Sequence, residues 1–292
     1  MGPIVPGAAG VPIGRLVVVA TLPAPVMALM MALMMALGAC TSTTTQTEVK
    51  ADSTRDATPT PPPTDEASLM RRAAVRLELA NLYFARGQSD TALAEIDTAI
   101  KIKPDYVQAF NLRGLIYASL GDTAKSDENF QRALKLNPRD ASVMQNYGWV
   151  LCQGQRYAAA EEQFRNALAQ PNYRDAAQTL RAMGVCQARD GRLQDAQQSL
   201  VRSYQIDPAS PATAVSLAEV QYKLGEYEKA RFYIDRVNKV TDQSNAQTLW
   251  LSARIERRLG NETQVRSMGS KLRDRYPQSP ETLAFDQGRF ND

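Results

Sequence analysis

Between residues 73 and 279 the apolar positions fall into paired helical stripes, each pair divided by a polar turn that carries glycine. One copy reads Phe110, Gly114, Tyr117, Gly121, then Phe130, Ala133 and Pro138. The copy before it has Ala80, Tyr83, Gly87, Ala92, Ile96, Ala99 and Pro104 at the same offsets. Apolar residues at helical spacing predict amphipathic helices, and a glycine behind the first helix suits a C-cap, where the left-handed conformation costs glycine nothing. That glycine recurs at Gly87, Gly121, Gly191, Gly225 and Gly260, with Gly154–Gln155 in its place in the third copy. Small residues such as Ala160, Ala167 and Ala196 let helices approach closely, while Phe164 and Leu200 fill the space between layers. Pro104, Pro138, Pro171, Pro208 and Pro277 end most copies. The register divides the chain at 73–106, 107–140, 141–174, 177–210, 211–244 and 246–279, with an insertion near Arg174–Ala176 that predicts irregular stacking there.

A helical hairpin repeated about every 34 residues resembles the tetratricopeptide repeat. The resemblance implies an all-α fold, a right-handed superhelix (α-solenoid) of about six hairpins over residues 70–280. No hairpin buries its apolar face alone, so stacking is obligatory, and it leaves a concave wall that takes a peptide or a partner helix. In this family that wall is built from five positions of each first helix. Here they select Leu77, Asn81 and Phe84, then Asn111 and Leu115, then Gln145 and Trp149. Amides to pair a peptide backbone and apolar groups to bury its side chains suit an amphipathic segment. The structural alternatives are cap packing for Leu77 and Phe84, and inter-repeat packing for Trp149. Copies five and six match the pattern weakly, and residues 281–292 read as a short tail, polar after Phe285, that frays.

Residues 16–39 are overwhelmingly apolar, with Arg15 the only basic residue before them. Such a stretch is a signal peptide or a membrane span. It ends Leu37–Gly38–Ala39–Cys40, which resembles a bacterial lipobox. The resemblance implies a signal peptide over 1–39, a diacylglycerol on the Cys40 sulfur, and a membrane anchor of two or three acyl chains. A threonine run from Thr41 to Thr45 and prolines at Pro59, Pro61, Pro62 and Pro63 read as a flexible tether over 40–69, spanning about 30 Å r.m.s. if unstructured. By similarity to Gram-negative lipoproteins, Thr41 in place of Asp implies the periplasmic face of the outer membrane.

Composition narrows the chemistry. The chain has no histidine, which excludes Ser-His-Asp and Cys-His catalysis and His-ligated zinc. No Gly-rich phosphate loop is present, and Glu161–Glu162 reads as a solvated helix face. The expectation is no enzyme, no cofactor and no small-molecule substrate. Net charge is +3, and the Arg254, Arg257, Arg258 cluster lacks the charge and aromatic interleaving of a nucleic-acid patch; it reads as a solvated face first and a protein contact second. Of three cysteines, Cys40 is assigned to lipid. Cys152 and Cys186 fall in first helices of adjacent copies, and in an oxidising compartment they form either a disulfide or two buried thiols.

Local strings narrow the family. Asn146–Tyr147–Gly148–Trp149–Val150–Leu151–Cys152, then Tyr157, Ala160, Phe164, Ala167, Pro171 and Tyr173, resemble the type IV pilus biogenesis and stability lipoproteins (the PilF/PilW family). So do Gly184–Val185–Cys186, the segment from Leu249 to Gly260, and the opening Arg76–Leu77–Glu78–Leu79–Ala80–Asn81–Leu82–Tyr83. The resemblance implies a pilotin, which binds the outer-membrane secretin subunit, brings it to the outer membrane and lets its ring assemble. The competing expectation is a periplasmic repeat-lipoprotein adaptor serving cell-wall, outer-membrane protein or cytochrome maturation machinery.

Overall fold

A computed structural model describes residues 65–290. The signal peptide expected over 1–39, Cys40 and the tether as far as residue 64 lie outside the described residues. Hairpins are formed by α1 (Glu66–Ala85) with α2 (Ser89–Ile102), α3 (Val107–Ser119) with α4 (Thr123–Leu136), and α5 (Ala141–Gln153) with α6 (Tyr157–Leu168). They continue as α7 (Ala176–Arg189) with α8 (Leu193–Ile206), α9 (Pro211–Lys223) with α10 (Tyr227–Asn238), and α11 (Ala246–Arg258) with α12 (Glu262–Arg275). A last helix, α13 (Pro280–Asp286), stands alone. The described residues are thus all-α, six helical hairpins and a closing helix. The domain starts at Glu66, before the expected residue 70, because the Asp65 carboxylate caps α1 by accepting from the Ser68 N–H at 2.6 Å.

Each hairpin is locked by a match of sizes. Gly114 faces the ring of Phe130, Gly148 that of Phe164, and Gly184 the side chain of Leu200. Where the first helix has alanine instead, at Ala80 and Ala218, an aliphatic Ile96 or Ile234 stands in the same buried cluster in place of a phenylalanine ring. A Cβ at Gly148 would stand 2.8 Å from Phe164 Cε1 and 3.1 Å from the Ala160 carbonyl oxygen, with Phe164 fully buried. Turns between the helices carry positive φ at Gly87, Gly121, Gly191, Gly225 and Gly260. In the third hairpin this conformation falls on Gln155, at φ 59°, and not on Gly154.

Successive first helices approach closely along the stack, from α1 to α11, whereas the backbones of successive second helices stand further apart and meet through side chains, as Tyr204 of α8 meets Tyr233 of α10 with ring centroids 5.1 Å apart. The first helices therefore follow the shorter, inner arc, and the second helices splay on the outside. Polar clasps hold the outer arc. Asp127 of α4 accepts from both terminal nitrogens of Arg156, at 2.6 and 2.7 Å, and Arg156 is the residue that opens α6. Glu161 of α6 accepts from Arg192, which opens α8, and from Arg165. Gln197 of α8 donates to Glu226, which opens α10, at 2.6 Å. Glu161 is thus buried and paired, not a solvated carboxylate as the sequence suggests, while Glu162 is exposed. Arg192 of the neighbouring turn and Gln187 of α7, both from the next hairpin, cover Glu161.

As far as residue 290, the tail expected to fray is held by the same size rule. The sixth hairpin has Ala253 on its first helix and Gly269 on its second, and the Phe285 ring of α13 enters the notch at Gly269. Phe290 then packs on Trp250 with ring centroids 5.0 Å apart and on Phe285 at 5.5 Å. The insertion after α6 leaves the first-helix contact of α5 with α7 intact. Tyr173 occupies the wider gap, its hydroxyl 2.8 Å from Gln145 Oε1 and 2.7 Å from Thr179 Oγ1.

Two outcomes are expected from this packing. Gly148→Ala gains about 1 kcal/mol of helix propensity but loses roughly 1–3 kcal/mol to overpacking. Its urea midpoint should fall below that of the parent, and an equal or higher midpoint would mean that Phe164 can yield. The clasps also make stability pH-dependent. Hydrogen bonds from Arg156 hold the Asp127 carboxyl below its ordinary value. At Glu161 burial raises the value, but the hydrogen bond and charge of Arg192 and the charge of Arg165 outweigh it. A lowered folded value means that this contribution is fully present above pH ~4, the unfolded range of Asp and Glu. It is lost as pH falls through the lower folded values. Thermal midpoints should therefore drop below pH ~4 in the parent and drop less in Asp127→Asn.

Candidate interaction surface

The inner arc of first helices forms a continuous wall, and most residues chosen from the sequence lie along it. Leu77 and Phe84 pack, half-buried, on the N-terminal cluster around Ala80, Ile96 and Ile116. Asn81 is half-buried and donates to the Leu77 carbonyl at 2.9 Å. Asn111 accepts from Asn146 at 3.2 Å, so two amides of neighbouring first helices pair across the seam. Leu115 packs on the central cluster formed by residues of the second, third and fourth hairpins.

Gln145 is the exception. It is only 7% exposed and its amide oxygen is taken by Tyr173, so it is a structural strut and not a group offered to a client. The connector that brings Tyr173 there, 169–175, is as long as the one between α10 and α11 and longer than those that follow α2, α4 and α8. The register shows the insertion but not that Tyr173 turns back onto Gln145. Trp149 takes the inter-repeat packing role weighed for it. Its ring packs partly on the central cluster, and Arg189 of the next first helix lies over it at 5.2 Å.

The same positions in later hairpins hold groups the sequence reading passed over. Arg181 is half-buried, and burial lowers its guanidinium below the ordinary value. Arg254 lies 4.8 Å over the Tyr222 ring and donates to the Phe290 carbonyl at 3.3 Å. It is therefore not the simple solvated residue expected of the arginine cluster; Arg257, by contrast, pairs with Glu262 at the turn. Glu219 is exposed, yet the surrounding protein raises its carboxyl above the ordinary value, with Lys223 opposing that shift. Exposure together with desolvation is what the inner side of a curved wall produces. The missed residues could have been found by continuing the five-position rule through α7, α9 and α11.

Behind the wall, the structure joins Cys152 of α5 and Cys186 of α7 in a disulfide with Cα atoms 5.8 Å apart, both residues buried. It ties adjacent first helices at the level of the central cluster. Among the described residues no group of three or more histidine, cysteine, aspartate or glutamate side chains is placed to hold a metal. A bridge closing a sequence separation of 34 residues contributes about 3–4 kcal/mol in the chain-entropy view. The Cys152→Ala/Cys186→Ala pair should lower the urea midpoint accordingly. Reductant should shift the parent and leave the pair unchanged, whereas a parent indifferent to reductant would mean the bond adds nothing.

Comparison with known proteins agrees with this architecture. Tetratricopeptide-repeat family models match residues 80–121, 107–140, 148–211 and 187–252. The type IV pilus assembly protein PilF of Pseudomonas aeruginosa is 27% identical over 221 residues, covering 76% of this chain and 85% of that protein. Its solved structure superposes with a TM-score of 0.65 at 23% identity, over 76% of this chain and 99% of that one. The crystal structure of PilW, described as a widely conserved type IV pilus biogenesis factor, gives a TM-score of 0.67 at 29% identity. It covers 73% of this chain and 97% of PilW.

Proposed function

Because the chain belongs to the tetratricopeptide-repeat family and is homologous to PilF and PilW, we propose that it is a non-enzymatic pilotin of the type IV pilus system. It is anchored by lipid at Cys40 to the periplasmic face of the outer membrane. Its inner wall holds the secretin subunit, and the secretin thereby reaches the outer membrane and multimerises. The homology supports a tetratricopeptide-repeat protein in type IV pilus biogenesis, and the observation that carries the reading is its extent, since the likeness to PilF spans most of both chains. The finer steps rest on the chemistry of the parts. The Leu37–Cys40 string supports the anchor, acyl chains make it durable, and an open curved wall suits a polypeptide client better than a small molecule.

The test is the state of the secretin in cells. Outer-membrane fractions from parent, deletion and Cys40→Ala strains are run for heat-resistant secretin oligomers. Loss or misplacement of the oligomer in the deletion strain, restored by the parent gene but not by Cys40→Ala, is the expected result. An unchanged and correctly placed ring would overturn the reading and leave an adaptor for another envelope assembly.

A further inference from the structure

The inner wall is divided in charge. Along α1, α3 and α5 its five positions carry no charged residue; they offer Leu77, Phe84, Leu115 and Trp149 among amides and small groups. Along α7, α9 and α11 the same positions hold Arg181, Arg189, Lys223, Arg254, Arg257 and Arg258 against one acid, Glu219. A net charge of only +3 for the whole chain makes this local excess a feature of the wall and not of the composition.

The arginines of this half are held in an unusual way. Five arginines are half-buried among the described residues: Arg113, Arg181, Arg192, Arg231 and Arg254. Three of them have carboxylates of this chain, Arg113 with Asp97, Arg192 with Glu161, and Arg231 with Glu228. Among the described residues Arg181 and Arg254 have none, and both lie on the inner wall. Arg189 likewise has no ion pair and rests on Trp149. Burying a guanidinium without an anion is costly. A guanidinium seated on an aromatic ring is also fixed in orientation before any ligand arrives. Both features fit a carboxylate that comes from outside, which the planar N–H fork receives in a bidentate manner. The single acid of this half, Glu219, has Lys223 as its charged neighbour.

We propose that the inner wall binds one segment of a partner polypeptide in a fixed direction. An apolar stretch of the segment lies against α1, α3 and α5, and an adjoining cluster of Asp or Glu side chains lies against Arg181, Arg189 and Arg254. This rests on the reading of the wall as the client site and adds the chemistry of the client segment and its polarity. The charged half supplies direction and encounter rate, and the apolar half supplies burial.

The proposal is tested without assuming the client. Purified full-length protein, in detergent, selects from a displayed library of random 15-residue peptides, alongside Arg181→Gln/Arg254→Gln and, as a control off the wall, Arg202→Gln. The parent and the control should enrich peptides with an acidic cluster beside an apolar stretch, always in the same order along the peptide. The double variant should lose the acidic preference and bind the enriched peptides roughly a hundredfold more weakly, about tenfold per charge-assisted pair. Arg181→Lys/Arg254→Lys, which keeps the charge without the fork, should fall between them, and melting curves show that each variant is folded. Enrichment without acidic residues, or an acidic preference that survives the double variant, would overturn the proposal. So would absence of any enrichment with retention on phosphatidylglycerol vesicles, which would assign the arginines to lipid headgroups. Secretin co-purification is scored separately. Acidic selection without secretin binding would keep this inference and remove the pilotin reading, and secretin binding indifferent to both arginines would do the reverse.

Discussion

A glycine in the middle of one helix against a bulky side chain in the middle of the next is the contact on which the structure depends. Gly114 with Phe130, Gly148 with Phe164 and Gly184 with Leu200 bring paired helices close enough to exclude space between them. The large partners are buried, and they reach that burial only because no Cβ stands opposite. Where the partner is Ile96 or Ile234 the opposing residue is Ala80 or Ala218, which keeps the summed size near that of a glycine–phenylalanine pair, while Gly184 with Leu200 is the smaller combination. The last hairpin breaks the pairing, and Gly269 leaves a notch that Phe285 fills from outside. One rule therefore governs both the interior of each repeat and the closure of the C-terminal end.

Joining the hairpins is a second, weaker layer of interaction. On the outer arc, side chains of α4, α6 and α8 reach the residue that opens the second helix of the next repeat, through Asp127–Arg156, Glu161–Arg192 and Gln197–Glu226. On the inner arc the Cys152–Cys186 bridge joins α5 to α7. The middle of the stack is thus tied on both sides, and the central cluster runs across the second, third and fourth hairpins. In a chain whose repeats touch only their neighbours, stability is a sum of repeat and interface terms.

Curvature is also what gives the wall its chemistry. Because the first helices lie closer together than the second helices, five positions per repeat converge on one surface. Residues far apart in sequence, such as Trp149 with Arg189 and Tyr222 with Arg254, become neighbours across that surface. A surface of this kind recognises a length of polypeptide through many modest contacts, which fits a role in assembling other proteins and needs no reactive centre.

The repeat period, the turn residues, the small and large core positions and the run of first helices follow from the sequence alone. Each depends on contacts within one hairpin or on the backbone freedom of a single residue. The identity of most wall residues is legible for the same reason, since the register fixes which face of a helix they occupy. Interactions that need a second repeat in place are decided only by the tertiary structure. Glu161 looks solvated until Arg192 of the following repeat folds over it, and Gln145 looks available until Tyr173 takes its oxygen. The closing helix α13 looks like a polar tail until the notch at Gly269 is seen to match Phe285. Local periodicity records which face a side chain takes, but what covers that face depends on where the stack places its neighbour.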